Sequence, residues 1–253
     1  MVVSFPCIAI IPARYNSTRF PGKPLTPILG RPMFWHVVQR TQACPHIQST
    51  YLATDDKRIA DEARSFQIPV VMTSPEHASG TDRILEAAQT LNLPDEAVVV
   101  NVQGDEPCLS PHLLDQLLHP FGRPATQVST AARSLQPEYA QDFNLVKVVR
   151  AHTGLALYFS RAPIPHARDG QQTSFLMHIG LYAFRLPVLR RFHQLGPSPL
   201  EQMEKLEQLR LLEAGIPVHV VLTEHQCYGV DRPEDVPKVE AILRKENIAC
   251  TLS

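Results

Sequence analysis

The chain has 253 residues, of which 44% are hydrophobic, and this is enough to bury the core of one large α/β domain. Its 24 basic and 25 acidic residues give a formal net charge of −1, which argues against a general affinity for nucleic acid or for an anionic membrane surface. The five cysteines are scattered without a C-x-x-C spacing, so we expect reduced thiols rather than a disulfide framework or a zinc knuckle. Because no signal-peptide pattern and no membrane-spanning apolar run occur, we expect a cytoplasmic protein.

Short strands and amphipathic helices alternate through roughly the first 120 residues. The strands are predicted at 7–11, 50–54, 69–72 and 97–102, and the helices at 32–42, 56–66, 81–91 and 110–118. Connections this short produce a parallel sheet with right-handed crossovers and helices on both faces. Ligands of such sheets bind where the strands end, at the carboxyl edge.

The second half of the chain contains more strands and fewer helices. Strands are predicted at 127–133, 145–150, 155–159, 178–184 and 217–222, and helices at 200–215 and near 234–246. Strands with few helices between them indicate a mixed sheet with an antiparallel extension. In the helix at 200–215, the expected apolar stripe consists of Leu200, Met203, Leu206 and Leu209.

A basic loop follows the first strand, in the stretch IPARYNSTRFPGKPL. It carries Arg14, Arg19 and Lys23 but lacks the G-x-x-x-x-G-K-[ST] pattern of a Walker A loop and the G-x-G-x-x-G pattern of a dinucleotide site. Side chains rather than a glycine nest therefore supply the positive charge, and the three cations could together surround a triphosphate. The alternative is a solvated loop whose charges are incidental.

Two adjacent carboxylates, Asp105 and Glu106, end the strand in VVVNVQGDEP. A carboxylate at the end of a central strand, opposite a phosphate-binding loop, is a typical ligand of Mg²⁺, which takes few protein ligands and keeps waters and phosphate oxygens. We predict Asp105 as the first ligand and Asp231, in GVDRPED, as the second. Glu106 is expected to be structural, and the alternative role of Asp231 is to cap the last helix.

Eight segments in this order carry a resemblance to a known family. They are IPARYNSTRFPGKPL, ATDD, HASGTDR, NVQGDEP, ALYFSRAPIP, HIGLYAF, LEQLRLLEAG and GVDRPEDV. Together they resemble the 3-deoxy-D-manno-octulosonate (KDO) cytidylyltransferases over essentially the whole chain. The resemblance implies a nucleotide-diphospho-sugar transferase-like fold, a three-layer α/β/α structure with a mainly parallel twisted sheet and an antiparallel extension. It also implies a single domain, 1–253, with a nucleotide-binding part at about 1–120 and 217–253 and a sugar-binding and dimerisation part at about 121–216.

The reaction that the resemblance implies is the transfer of CMP from CTP to KDO, which releases pyrophosphate and activates KDO for lipopolysaccharide synthesis. It assigns catalysis to Arg14, Lys23 and Asp105, and the binding of Mg²⁺ to Asp105 and Asp231. The nucleotide-binding residues that it implies are Ala13, Arg14, Arg19, Lys23, Ser79, Gly80, Thr81 and Arg83. Ser79 and Thr81 could also cap the helix that begins near 81.

The resemblance also implies a sugar site. Its residues are Gln103, Arg161, His178, Tyr182, Glu207 and Gln208. This set is chemically suitable, because an arginine can meet the carboxylate of KDO with two hydrogen bonds and the other groups can bind hydroxyls. His178 and Tyr182 are four residues apart on a predicted strand and should face the same side, whereas Glu207 and Gln208 should lie off the apolar stripe of their helix.

The expected partners are CTP and KDO as small-molecule substrates and a second copy of the chain in a homodimer, with contact through 178–184; no nucleic acid or membrane is expected. A cytidylyltransferase for another acidic sugar, 8-amino-KDO or N-acetylneuraminate, is the alternative enzyme. A catalytically inactive binding module is the alternative from another class. Loss of Lys23, Asp105 or Asp231 would indicate such a module, and all three are present.

Overall fold

The computed structural model describes residues 5–16, 20–77, 79–168 and 174–251, and the chain divides into two compact units. The first unit extends to Asp115 and resumes at Gln226, and the second extends from Gln116 to His225. These limits lie close to the two parts expected from the sequence, whose functional assignment stays a prediction. In the described ranges no helix is long and apolar enough to cross a membrane.

The first unit is built on a parallel sheet. Its elements are β1 (Cys7–Ala13), β2 (Pro27–Ile28), β3 (Arg31–Pro32), α1 (Met33–Gln42), β4 (Ser49–Thr54), α2 (Lys57–Ser65), β5 (Val70–Met72), α3 (Gly80–Thr90), β6 (Val98–Asn101) and α4 (Pro111–Leu118), which crosses into the second unit. The strands lie in the order β6, β1, β4, β5, and each neighbouring pair is parallel. Ala9, Ile10 and Ile11 are fully buried, so both faces of β1 are covered, as expected for a central parallel strand.

The second unit contains a mixed sheet. Its elements are β7 (Val128–Leu135), β8 (Lys147–Arg150), β9 (Ala156–Ser160), β10 (Phe175–Arg185), α5 (Leu186–Leu195), α6 (Pro199–Glu204), α7 (Leu209–Glu213) and β11 (Val218–Leu222), after which α8 (Val236–Thr251) belongs to the first unit. β7 pairs in parallel with β11 and antiparallel with β10, and β8 is antiparallel to both β10 and β9. The predicted fold class, a mainly parallel sheet flanked by helices and extended by antiparallel strands, is confirmed.

The single helix predicted at 200–215 is wrong, because the segment forms two helices, α6 and α7, separated at Lys205. This lysine has a left-handed backbone, with φ of 56°. Arg210 donates to both carboxylate oxygens of Glu201, over 2.7 and 2.6 Å, and both side chains are buried. Residues nine apart are about two and a half turns apart, so one continuous helix would place this pair on opposite faces. The break allows the buried ion pair to form, and it leaves Met203, predicted for the apolar stripe, 79% exposed.

Candidate active site

A cavity of about 360 Å³ opens at the carboxyl edge of the parallel sheet in the first unit. β1 and β6 are parallel neighbours, so the loops that follow them meet at this edge. Six residues predicted from the sequence line the cavity: Ala13, Arg14, Lys23, Gly80, Gln103 and Asp105. Asn16 and Gly104 also line it, although the sequence reasoning did not identify them.

Two glycines allow the loops around this cavity to approach each other. A Cβ atom at Gly104 would lie 2.7 Å from the backbone oxygen of Pro12, so only glycine lets the loop after β6 come this close to β1. Gly22 has a left-handed backbone, with φ of 72°, and its N–H donates to Tyr15 O over 2.8 Å. This bond closes the basic loop on itself and fixes the position at which Lys23 begins a short 3-10 turn.

The Lys23 ammonium joins the basic loop to both predicted metal ligands. Its Nζ lies 2.6 Å from Asp105 Oδ2 and 3.9 Å from Asp231 Oδ1, and it donates to Val230 O over 2.9 Å. The N–H of Val230 donates in turn to Asp105 O, also over 2.9 Å. The structure therefore brings together two carboxylates that are far apart in sequence. Asp235, and not Asp231, provides the capping carboxylate before the last helix, since its Oδ2 accepts the N–H groups of Asp231 and Arg232.

Glu106 is half-buried beside this group of charges. Burial is the main cause that raises its pKa to about 8, and the negative charges of Asp105 and Asp231 raise it further, while Lys23 opposes them. A Cβ atom at Gly229 would lie 3.3 Å from Glu106 Oε1, so the side chain occupies the space next to the segment that carries Asp231. These contacts agree with the expectation that Glu106 is structural.

The donor set at this point suits Mg²⁺. Asp105 and Asp231 flank the same cation, the Lys23 ammonium, which marks a position where these carboxylates stabilise positive charge. Within the described residues no group of three or more His, Cys, Asp or Glu side chains could hold a metal by itself. Mg²⁺ does not require such a group, because it commonly takes one or two carboxylates together with waters and substrate phosphates. The residues present therefore fit a magnesium ion that is shared with a nucleotide.

The residues predicted for the base side of the nucleotide occupy different positions. Ser79 is the N-cap of α3, and its Oγ accepts the N–H of Asp82 over 3.1 Å, so the capping role is confirmed for this residue. Arg83 is fully buried, donates to Thr73 Oγ1 and lies 3.3 Å from Asp55 Oδ2. Burial lowers the pKa of its guanidinium, which the charge of Asp55 opposes. This arginine supports neighbouring segments and is not among the side chains that line the cavity.

Three further residues, Arg14, Thr81 and Arg19, were predicted to bind the nucleotide. Arg14 lines the cavity, and its Nη1 donates to the backbone oxygen of His77 over 3.3 Å, which connects the basic loop to the segment before α3. Thr81 lies in the first turn of α3 and is 9% exposed. Arg19 lies outside the described residues.

In the second unit, His178 and Tyr182 on β10 form a hydrogen-bonded pair. Tyr182 Oη lies 2.9 Å from His178 Nε2, so the two side chains share a face as predicted, although the pairing register shifts between them. Thr130 Oγ1 lies 3.0 Å from the same nitrogen. Burial lowers the pKa of His178 to about 3 and raises that of Tyr182. A neutral imidazole and a protonated phenol result, and both can exchange hydrogen bonds with sugar hydroxyls.

Arg161 follows β9 directly, and backbone oxygens hold its guanidinium. Its Nε donates to Glu204 O over 2.9 Å, Nη1 to Phe143 O over 2.9 Å, and Nη2 to Lys205 O over 3.4 Å. A guanidinium has five N–H groups, and these oxygens take three of them, so the contacts among the described residues leave two for a ligand carboxylate. The backbone oxygen of Arg161 accepts a 2.6 Å hydrogen bond from the buried Lys147. The sequence reasoning did not identify Lys147, although a lysine inside the apolar run LVKVV is a visible signal.

Glu207 and Gln208 lie in the turn between α6 and α7, so their predicted helical setting is wrong. Gln208 is 8% exposed, and its Nε2 has no acceptor among the described residues. Because an unsatisfied buried donor is costly, this atom is suited to a ligand or a bound water. Burial is the main cause that raises the pKa of Tyr182, and the negative charge of Glu207 raises it further.

Comparison with known proteins identifies the family. The cytidylyltransferase family model matches residues 8–223. The 3-deoxy-manno-octulosonate cytidylyltransferase of Nitratidesulfovibrio vulgaris (strain Hildenborough) is 57% identical over 245 residues, which cover 95% of this chain and 97% of the relative. The chain belongs to the 3-deoxy-manno-octulosonate cytidylyltransferase family. The relationship extends to plants, since the relative from Zea mays is 42% identical over 95% of this chain and 82% of its own length.

Solved structures agree with this membership. The structure of CMP:2-keto-3-deoxy-manno-octonic acid synthetase complexed with CTP matches with a TM-score of 0.91 and 38% identity, covering 95% of this chain and 99% of that one. 4-Diphosphocytidyl-2C-methyl-D-erythritol synthase, at 14% identity and a TM-score of 0.65, shares the fold. As a member of the 3-deoxy-manno-octulosonate cytidylyltransferase family, the protein is a nucleotidyltransferase, and the resemblance found in the sequence is confirmed.

Proposed function

We propose that the protein transfers CMP from CTP to KDO, giving CMP-KDO and pyrophosphate. The observation that carries the proposal is the convergence of Lys23, Asp105 and Asp231 beside the cavity that Arg14 lines. Nucleotidyl transfer depends mostly on positioning and on neutralising phosphate charge, and this group supplies two cations and two carboxylates for that purpose. The family's name and the CTP complex of its solved member support the choice of nucleotide and sugar.

In the reaction, the anomeric hydroxyl of KDO attacks the α-phosphorus of CTP. A bond forms between that oxygen and phosphorus, the bond to the bridging oxygen of the β-phosphate breaks, and pyrophosphate leaves while the hydroxyl proton passes to solvent. Arg14 and Lys23 bind the triphosphate through charge-assisted hydrogen bonds. Asp105 and Asp231 hold Mg²⁺, which when bound neutralises phosphate charge and lowers the pKa of the attacking hydroxyl.

The sugar is bound by groups that complement its carboxylate and hydroxyls. Arg161 offers the two N–H groups that backbone oxygens leave unused. The neutral His178 and the protonated Tyr182 exchange hydrogen bonds with hydroxyls, and Gln208 offers its buried Nε2. Gln103 lines the cavity of the first unit and is assigned to the same substrate.

We further propose that the protein acts in the cytoplasm as a homodimer and supplies CMP-KDO for lipopolysaccharide synthesis. Exposed apolar side chains in the second unit support self-association, with Phe143 66%, Leu157 61% and Met203 79% exposed. Burial of such side chains is the main driving force for stable association. Sedimentation of the purified protein tests the dimer, and a monomer at micromolar concentration contradicts it.

Pyrophosphate release tests the reaction. The protein, with Mg²⁺, is offered each of the four ribonucleoside triphosphates together with KDO, 8-amino-KDO or N-acetylneuraminate. Release with CTP and KDO alone is the expected result. Release with CTP and a different sugar would overturn the sugar assignment and keep the nucleotide site, and no release from folded protein would favour a binding module.

A further inference from the structure

Lys147 is a fully buried lysine in β8, and its ammonium is held by backbone oxygens. Nζ donates to Asp142 O over 2.9 Å, to Leu145 O over 2.6 Å and to Arg161 O over 2.6 Å. An ammonium has three N–H groups, so these oxygens satisfy all of its donors. Burying a charge is costly, and an apolar side chain would be the ordinary occupant of this position in a strand. The lysine therefore requires an explanation other than packing.

Of the three oxygens, one is the carbonyl of Arg161 itself and two belong to the turn at 142–145 that contacts Arg161. Lys147 pairs across β8 and β9 with Ser160, the residue before Arg161, so its ammonium reaches the end of β9. The turn at 142–145 also provides Phe143 O, which accepts from Arg161 Nη1 over 2.9 Å. One side chain thus fixes the backbone of Arg161 and the turn that orients its guanidinium.

Glu204 holds the same arginine through different atoms. Its Oε2 accepts the backbone N–H of Arg161 over 3.0 Å, and its backbone oxygen accepts from Arg161 Nε over 2.9 Å. Its Oε1 accepts from Ser160 Oγ over 2.6 Å. The backbone of Arg161 is therefore bonded at its N–H by Glu204 and at its carbonyl by Lys147.

We propose that Lys147 and Glu204 are positioning residues that hold Arg161 ready to bind the carboxylate of an acidic sugar. The proposal rests on the proposed function, because that function assigns Arg161 to the substrate. An arginine side chain loses considerable rotamer entropy when it is ordered, and ordering it before binding removes this cost from the binding step. Lys147, Arg161 and Glu204 together carry one net positive charge, which favours an anionic ligand.

The test compares three variants by steady-state pyrophosphate release. Lys147→Met removes the ammonium at similar length, and Glu204→Gln keeps one side-chain oxygen acceptor while removing the charge. Lys245→Met is the matched control, because Lys245 is an exposed lysine on α8 and, among the described residues, no hydrogen bond or ion pair joins it to Arg161, Lys147 or Glu204. We expect Lys147→Met to raise the KM for KDO about tenfold or more while the KM for CTP stays within about twofold. Glu204→Gln should raise the KM for KDO less, and Lys245→Met should leave it unchanged.

A double-mutant cycle with Arg161→Met separates positioning from a purely structural role. If Lys147 acts through Arg161, the rise in KM caused by Lys147→Met disappears when Arg161 is already methionine. An additive effect, or a folded Lys147→Met protein with an unchanged KM for KDO, would overturn the proposal. If the Lys147→Met protein does not fold, the same double-mutant cycle is measured with Glu204→Gln and Arg161→Met, and an additive effect on the KM for KDO there would overturn the proposal.

Failure of the proposed function gives a different result. A wild-type protein that uses another acidic sugar overturns the KDO assignment, and the same cycle measured with that sugar then decides the positioning role. A wild-type protein that uses no acidic sugar overturns both.

Discussion

Acid should destabilise the protein through His178. Burial lowers the pKa of this side chain to about 3 in the folded protein, while an unfolded histidine titrates near 6.5. The folded pKa lies below the unfolded one, so between these values the unfolded state binds more protons. Stability contributed by the neutral imidazole is therefore complete above about pH 6.5 and is lost progressively as the pH falls toward 3.

The size of the effect follows from this shift. At pH 5 the unfolded histidine is protonated and the folded one is not. Since pH 5 lies about 1.5 units below the unfolded pKa and each unit corresponds to about 1.36 kcal/mol, the free energy of unfolding falls by about 2 kcal/mol relative to pH 8. Since the residue is only partly buried, this figure is an upper value. For a chain of this size it corresponds to at most about 4–8 °C in the melting temperature.

The assay measures the unfolding midpoint of the wild type and of His178→Gln at pH 8 and pH 5. Gln can still accept a hydrogen bond from Tyr182, whose Oη lies 2.9 Å from the histidine nitrogen, but it does not titrate. The wild type should lose more stability between these pH values than the variant, by up to about 2 kcal/mol. His152→Gln, at an exposed histidine, is the control and should match the wild type. Equal pH dependence in wild type and His178→Gln would refute the reasoning.

Three further substitutions test the ion pairs. Asp105→Asn should abolish turnover and keep the fold, because it removes a proposed metal ligand at the end of a strand. The control Asp235→Asn should retain turnover. Turnover by the Asp105→Asn protein would contradict the metal assignment. Lys23→Met should weaken CTP binding, measured by calorimetry, by roughly 10- to 150-fold, because a hydrogen bond to a charged group contributes about 1.5–3 kcal/mol. An unchanged affinity for CTP would show that Lys23 does not bind the nucleotide. Arg210→Met should lower the free energy of unfolding by about 3–5 kcal/mol, since it leaves Glu201 buried without its partner. The control is Arg191→Met, at an exposed arginine, which should leave the denaturant midpoint of unfolding nearly unchanged. Equal midpoints for the Arg210→Met and Arg191→Met proteins would contradict a stabilising role of the Glu201–Arg210 ion pair.

The parallel half of the fold was predictable because its signals are local. Apolar runs and helical spacing gave β1, β4, β5, β6 and the helices between them. The end of each strand then indicated which loops meet, and Lys23 and Asp105, which are 82 residues apart, are indeed in contact. Parallel neighbours bring their carboxyl ends to one edge, so sequence order alone carries this information.

Other features depend on contacts that no local pattern encodes. The break at Lys205 follows from the pairing of Glu201 with Arg210, which is visible only once the chain has folded back. Arg83 was predicted to bind the nucleotide, which stays a prediction, but its full burial against Thr73 and Asp55 was not foreseen. Burial of a charge cannot be read from helical spacing, because it depends on which loop covers the helix.

Phosphorus NMR of the wild type with CTP, Mg²⁺ and KDO tests the central claim most directly. Cytidylyl transfer predicts that the three CTP signals decline while one phosphodiester signal and pyrophosphate appear in equal amounts, and only when KDO is present. Formation of CMP and pyrophosphate without a phosphodiester, or of CDP and inorganic phosphate, would contradict transfer to the sugar.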